Sequence, residues 1–452
     1  MATDLSNIVK AYDVRGVVPD ELNADIARAL GAAFARFTGA KRIVFARDMR
    51  ETGVALSQAF ADGATGQGAD VIDAGLGSTD LLYFAAGKLD IPGAMFTASH
   101  NPAKYNGIKL CLAGAKPVGQ DSGLATLRDD AARFLDEGIP AYDGKPGSLT
   151  SQELLHDYAA YMKQLVPDLS GIRPLKVVVD AGNGMGGLTV PIVFEGLPLD
   201  TTELYFELDG SFPNHEANPI DPENLRDLQA AVTKEGADIG LAFDGDADRC
   251  FVVDERGEIV SPSVLTALIA ARELKRVPGA TIIHNLITSK AVPEIVRSLG
   301  GTPVRTRVGH SFIKAEMART GAVFGGEHSG HFYFKEFWNA DSGMLAALHA
   351  LAALGTQDGP LSELLSSYSP YVPSGEINST VTDAAAKIAE LKKKYAGLEQ
   401  DELDGLTVTS PDGWWFNVRA SNTEPLLRLN AEAPDQATLD AVRDEVLALI
   451  RA

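Results

Sequence analysis

The sequence predicts an α/β fold in several domains, with mostly parallel strands under helices. Three observations predict it. Helical and strand periodicities alternate along the chain, three Gly-x-x-Phe segments each run into a polar loop, and 452 residues exceed what a single core supports. In open α/β sheets ligands bind beyond the carboxyl ends of strands, so three such loops are candidates for equivalent corners of one cleft.

The elements follow in order. Ile26, Leu30, Phe34 and Phe37 share one helical face, and RIVFA (Arg42 to Ala46) is a short buried strand. VIDAG at Val71 is the next strand and GAMF (Gly93 to Phe96) another. The Gly- and Pro-rich stretch from Glu137 to Ser148 is a linker. A helix is expected from Ser151, with Leu154, Leu155, Tyr158, Met162 and Leu165 in register. KVVVD (Lys176 to Asp180) is a strand before a glycine-rich turn. The charged turn at Glu255 marks a second boundary, and the stretch from Ser366 to Glu376 a third. A charged helix (Ala384 to Gly397) and the strand-like DGWWFNVRA then make a smaller α+β domain.

Bulk properties exclude several classes. Hydrophobic residues are 45% and charged residues 22%, values of an ordinary globular chain that argue against disorder. Lys+Arg is 40 against 61 Asp+Glu, a formal net charge of -21, so a general nucleic-acid binder is not expected. A phosphate-bearing substrate would need clustered cations or a metal to overturn that field. Cys111 and Cys250 form no CxxC pair, which fits a reducing compartment. The start has no basic n-region or apolar h-region, and the longest apolar stretch, Met344 to Leu354, is shorter than the roughly 20 residues of a membrane span. A soluble cytoplasmic protein is expected.

Five loops carry chemistry. DGDADR presents Asp244, Asp246 and Asp248 after a strand, and alternating carboxylates repel unless a cation sits between them; oxygen ligands favour Mg²⁺ or Ca²⁺. The spacing also places Glu255 where an EF-hand has its last ligand, but Arg249 stands where that loop needs Gly and the preceding segment is a strand, so the EF-hand is rejected. TASHNP places Ser99 near His100, Lys104 and Lys109, as a phosphoryl acceptor among cations or as a turn cap. RASNTEP clusters Arg419, Ser421, Asn422 and Thr423, equipment for a phosphate or a polar turn. GGEHSGH offers Glu327, Ser329 and His331, able to hold a sugar diol, although an ordinary glycine-rich loop explains it as well. AGNGMGG (Ala181 to Gly187) matches a dinucleotide fingerprint, with a tight strand-to-helix turn as the stronger reading.

Together these loops resemble the phosphohexomutase family, in particular its bacterial phosphomannomutase/phosphoglucomutase branch. The residues that carry the resemblance are YDVRG (Tyr12 to Gly16), TASHNP, YNGIK, DGDADR, VGH (Val308 to His310), GGEHSGH and RASNTEP, in family order over nearly the whole chain. RASNTEP differs from the RPSGTEP of phosphoglucosamine mutases, and His328 stands where the mannomutase pattern usually has Met. The resemblance implies four domains around a central cleft, three similar α/β domains with mixed sheets and a smaller C-terminal α+β domain. The boundaries give a phosphoserine domain at 1–150, a metal-binding domain at 151–254, a sugar-recognition domain at 255–367 and a phosphate-binding domain at 368–452.

It further implies Ser99 as the phosphoserine, with Asp244, Asp246, Asp248 and a phosphoserine oxygen around one Mg²⁺ per chain. Arg15, His100 and Lys109 would flank the transferring group, with Lys109 or Arg15 as proton-transfer partner. Tyr12, Arg249, His310, Glu327, Ser329, His331, Arg419, Ser421, Asn422 and Thr423 would contact substrate. The implied activity interconverts mannose 6-phosphate and mannose 1-phosphate, and the glucose pair, through hexose 1,6-bisphosphate, which also serves as activator. Small-molecule hexose phosphates are the expected partners, with neither nucleic acid nor membrane, and the chain is expected to be a monomer or homodimer. A nicotinamide-dependent dehydrogenase using AGNGMGG, a non-catalytic sugar-phosphate binder and a phosphatase are the rival readings.

Overall fold

The computed structural model describes residues 3–420 and 426–452, apart from the side chains at 121, 310 and 311. The chain divides into two compact units. One takes the chain up to Pro262 together with Ser329–Ser362, and the other takes Ser263–His328 with Glu363–Ala452.

The first unit opens on a seven-stranded sheet. Its central strands Arg42–Arg47, Asp70–Leu76 and Gly93–Phe96 run parallel, while Tyr105–Leu112 lies antiparallel between Gly93–Phe96 and Val14–Val17. Helix Ala24–Thr38 starts where the Asn23 side chain accepts from the amides of Asp25 and Ile26, and stops at Gly39 in the left-handed region. It buries Leu30 and Phe34 in the core, but Phe37, in its last turn, is exposed rather than part of the buried face. The second sheet is also mixed. Leu199–Leu204, Leu175–Asp180 and Ile239–Phe243 are parallel, and Cys250–Asp254 and Ile259–Val260 continue antiparallel.

In the second unit Thr281–Asn285 is flanked in parallel by Thr302–Thr306 and Phe324–Gly326. The C-terminal sheet is antiparallel throughout, from Val372–Thr380 through Leu426–Ala433, Trp415–Ala420 and Leu406–Thr409 to Glu399–Asp401. Leu391 and Val446, from helices Ala384–Lys394 and Gln436–Arg451, share a core with Phe416, Leu427 and Leu429.

One expectation shifts, the start of the helix after the linker. Ser151 ends a short strand, Leu149–Ser151, and the helix begins at Leu155. The linker is captured by the sheet because Asp70 accepts from the amide and hydroxyl of Ser148 at 2.8 Å each. The stretch from Ser366 to Glu376 contains the start of strand Val372–Thr380, whose partner strand supplies ladder bonds that proximity in sequence cannot reveal. The longest apolar stretch is the wholly buried helix Gly343–Gly355, where His349 stacks on Phe334 with centroids 5.3 Å apart. Among the described residues no helix is long and apolar enough to cross a membrane.

The fold positions the candidate loops in a repeated way. TASHNP joins Gly93–Phe96 to its antiparallel neighbour Tyr105–Leu112, and DGDADR joins Ile239–Phe243 to its antiparallel neighbour Cys250–Asp254. Both are therefore hairpin loops at the carboxyl end of a parallel strand. The third echo is offset, since Phe324 begins rather than ends its strand.

Candidate active site

Ser99 is buried, with a φ of 49°, in the left-handed region that costs a non-glycine residue on the order of 1–3 kcal/mol. Its Oγ donates to Asp244 Oδ2 at 2.8 Å and lies 3.3 Å from His100 Nδ1. The carbonyl of Ser99 approaches Gly245 so closely that a Cβ there would sit 2.5 Å from it, so the residue between Asp244 and Asp246 must be glycine.

One carboxylate oxygen each from Asp244, Asp246 and Asp248 lies within 4.8 Å of the others, and all three residues are buried. Lys109 Nζ donates to Asp246 Oδ2 at 2.7 Å and to Asp248 Oδ2 at 2.6 Å. Arg249 reaches Asp244 Oδ2 through Nε and Nη2, both at 2.9 Å. Pairing and alternation along strands explain why these cations converge. Arg15 faces Gly107 across the antiparallel ladder, and Lys109 is two residues further on the same face. Arg15 in turn donates to Asn101 Oδ1 at 2.5 Å, inside the serine loop.

The residues fit a divalent cation. Three carboxylates face two cationic side chains, and the buried Oδ1 atoms of Asp246 and Asp248 have no hydrogen-bond partner among the described residues. Burial pushes the Asp244 carboxyl up, to about 8, against the pull of Arg249. Burial pushes upward at Asp248 too, but Lys109 and His331 outweigh it and bring that carboxyl to about 2. Burial, with Arg249 and Arg15 nearby, brings His100 down to about 3, so its imidazole is neutral.

The remaining candidates fall into two groups. In the first unit, Ser329 Oγ lies 3.0 Å from His331 Nδ1, and His331 Nε2 lies 3.9 Å from Asp248 Oδ1, which attaches both to the carboxylate cluster. Tyr12 is half-buried just before strand Val14–Val17. In the second unit, buried Glu327 accepts from the Gly309 amide at 3.3 Å. His328 lies within electrostatic range of Glu327, Glu376, Arg419 and Arg428. Arg419 donates to Glu376 Oε2 at 2.9 Å. Ser421, Asn422 and Thr423, and the side chain of His310, lie outside the described residues.

Sequence reasoning missed Arg50, Thr79, Asp80 and Glu376. Thr79 Oγ1 donates to Asp246 Oδ2 at 2.6 Å, and the Thr79 amide donates to the Asp246 carbonyl at 3.0 Å. Buried Asp80 accepts from Ser78, from Tyr158 Oη at 2.8 Å and from Ser342 Oγ at 2.6 Å. The only local signal was Ser78-Thr79-Asp80 as a helix start, and Ser78 does cap helix Thr79–Leu89. The glycine-rich turn after Asp180 serves packing. The Gly184 amide closes the turn on the Ala181 carbonyl at 2.7 Å, and the Met185 amide donates to the Gly245 carbonyl at 2.9 Å, which braces the carboxylate loop.

Comparison with known proteins identifies the family of the chain. Models of the phosphoglucomutase/phosphomannomutase α/β/α domains I, II and III match residues 6–130, 156–257 and 262–371, and that of the C-terminal domain matches 376–449. The chain is 42% identical over 450 residues to a protein named "Phosphohexose mutases" from Xanthomonas campestris pv. campestris, covering 98% of each. It is 38% identical over 454 residues to an Escherichia coli phosphomannomutase, again covering 98% of each. A crystal structure of a phosphoglucomutase/phosphomannomutase family protein from Burkholderia thailandensis superposes with a TM-score of 0.87 at 35% identity, covering 99% of this chain and 97% of that one. With all four domain models matched in order and relatives aligned from end to end, the chain belongs to the phosphoglucomutase/phosphomannomutase family.

Proposed function

We propose that this chain is a phosphohexomutase that moves a phosphoryl group between O6 and O1 of mannose, and also of glucose, by way of phosphorylated Ser99. The observation that carries the reading is the Ser99 hydroxyl, 2.8 Å from Asp244 and surrounded by buried carboxylates, Lys109 and Arg249. A serine cap needs no such setting, and a phosphoryl acceptor does.

The phosphoserine gives its phosphoryl group to the free hydroxyl of a hexose 1- or 6-phosphate, the bound 1,6-bisphosphate turns over, and the other phosphate returns to Ser99 Oγ. Asp244, Asp246 and Asp248 would hold one Mg²⁺, which supplies charge neutralisation at the transferring phosphoryl oxygens. Arg15 and Lys109 add positive charge beside the transferring group and are the candidates for moving the proton, while neutral His100 orients the hydroxyl. Arg419, with Ser421, Asn422 and Thr423, grips the phosphate that is not reacting. His310 and His331 border the ligand, with Tyr12 and Arg249 beside it. Glu327 and Ser329 hold O3 and O4, a diol that can be gripped again after a half-turn. Mannose and glucose share that diol and differ at C2, so acceptance of both follows.

The four segments 1–150, 151–254, 255–367 and 368–452 are then the phosphoserine, metal, sugar and phosphate domains. The two free, buried cysteines support a cytoplasmic location. The test is a coupled assay with mannose 1-phosphate and glucose 1-phosphate side by side, with hexose 1,6-bisphosphate present. Isomerisation of both is expected. Release of free phosphate instead of isomer, or turnover of neither, would overturn the proposal.

A further inference from the structure

Arg50 lies in the loop after strand Arg42–Arg47 and is 2% exposed. A guanidinium has five N–H donors, and here all five are engaged inside the protein. Nη1 donates to the carbonyls of Pro102 at 3.0 Å and Tyr105 at 2.9 Å. Nη2 donates to the carbonyls of Ser99 at 2.9 Å and Asn101 at 2.6 Å, and Nε to Asp48 Oδ2 at 3.2 Å. The Phe212 ring covers the guanidinium face at 5.0 Å, and Gly210 lets that segment approach, since a Cβ there would sit 2.9 Å from Arg50 Cα.

Four of these five contacts are carbonyls of one hairpin, three in the loop that carries Ser99 and the fourth on Tyr105, the first residue of its return strand. Carbonyl dipoles turned toward one point repel unless a cation sits at that point, and the loop also holds Ser99 at a positive φ. With every N–H spent, Arg50 has none left for a substrate phosphate, so its effect must pass through the loop. We propose that Arg50 is the positioning residue of the nucleophile: it clamps the Ser99 loop by its carbonyls and so fixes Ser99 Oγ against the carboxylate cluster. The inference rests on Ser99 being the phosphoryl carrier.

The test compares Arg50→Gln, Arg50→Lys and Phe212→Leu with wild type in kcat and KM for glucose 1-phosphate, in thermal stability, and in Ser99 phosphorylation by intact mass. A reacting atom displaced by about 1 Å costs on the order of 100-fold in rate, so Arg50→Gln should lose about 100-fold in kcat with KM within about threefold. Arg50→Lys keeps the charge but not the fork, so it should recover part of that loss. Phe212→Leu should give the same split in smaller measure. If activity falls only in step with the folded fraction, leaving kcat per folded molecule unchanged, Arg50 is structural and the proposal is overturned. Should Arg50→Gln not fold, Arg50→Lys and then Phe212→Leu are judged by the same criterion. The underlying reading fails separately: a wild type that turns over with no phosphate on Ser99 sinks the phosphoserine itself. A phosphorylated wild type beside Arg50 variants of wild-type kcat sinks only the clamp.

Discussion

A hydroxyl among carboxylates is a poor place for an inert side chain, and Ser99 has the strained backbone that function selects. Ser99→Ala should therefore lose most activity, and phosphopeptide mapping of the purified wild type should find phosphate on Ser99; phosphate elsewhere with Ser99→Ala fully active would end the hypothesis. Glu327 acts at the same scale. If it holds hydroxyls common to both sugars, Glu327→Ala should lower kcat/KM for mannose and glucose phosphates by similar factors, roughly 10- to 150-fold for a charged acceptor worth about 1.5–3 kcal/mol. His328 stands beside Glu327 and Arg419 in electrostatic terms, so His328→Met should change the mannose-to-glucose ratio more than Glu327→Ala does. An unchanged ratio in steady-state kinetics would make His328 a bystander.

At the scale of elements, the carboxylate loop does not stand by itself. Thr79, at the start of helix Thr79–Leu89, bonds Asp246 by side chain and backbone, and Asp80 anchors that helix start to Tyr158 and Ser342. Chelation should abolish turnover and Mg²⁺ restore it, and Asp246→Asn should raise the Mg²⁺ concentration needed for half activity at least about tenfold, because one of three anionic ligands is lost. Full activity in excess chelator would refute the site. Burial raises the Asp80 carboxyl from the ordinary 3.8 to about 6, although three hydroxyls donate to it. The folded state thus binds more protons than the unfolded chain between about pH 4 and 6, and stability falls as pH rises through that window. At about 1.4 kcal/mol per pH unit the loss is about 3 kcal/mol, so the stability cost of Asp80→Asn should shrink by about that amount from pH 4 to pH 7. Denaturant titrations of both proteins at the two pH values measure it, and a constant difference would mean that Asp80 is ionised throughout.

Over the whole molecule, a formal charge of -21 opposes an anionic substrate, so binding must depend on a few local cations. Arg419 is proposed as one, and Glu376 already pairs with it at 2.9 Å, which holds the guanidinium in place and would compete with a phosphate. Arg419→Ala should raise KM for both sugar phosphates by an amount worth roughly 1.5–3 kcal/mol, with a smaller change in kcat. An unchanged KM would reduce Arg419 to a surface residue.

Much of this was legible in the sequence because its signals are local. The serine, the three aspartates and Lys109 sit on short loops or adjacent strands whose residue types state their chemistry, and alternating periodicities gave the α/β layers. Strand partners were not legible. The capture of Leu149–Ser151 by the sheet depends on Asp70, 78 positions from Ser148. Nor were the residues that hold the site. Arg50 reaches carbonyls about fifty positions away, and Asp80 meets Ser342 across 262. The sequence by itself determined which residue types are available for the proposed chemistry. Only the tertiary structure decided which of them meet and what fixes them there, because hydrogen bonds to backbone carbonyls and buried hydroxyls leave no residue pattern of their own and exist only once distant segments pack.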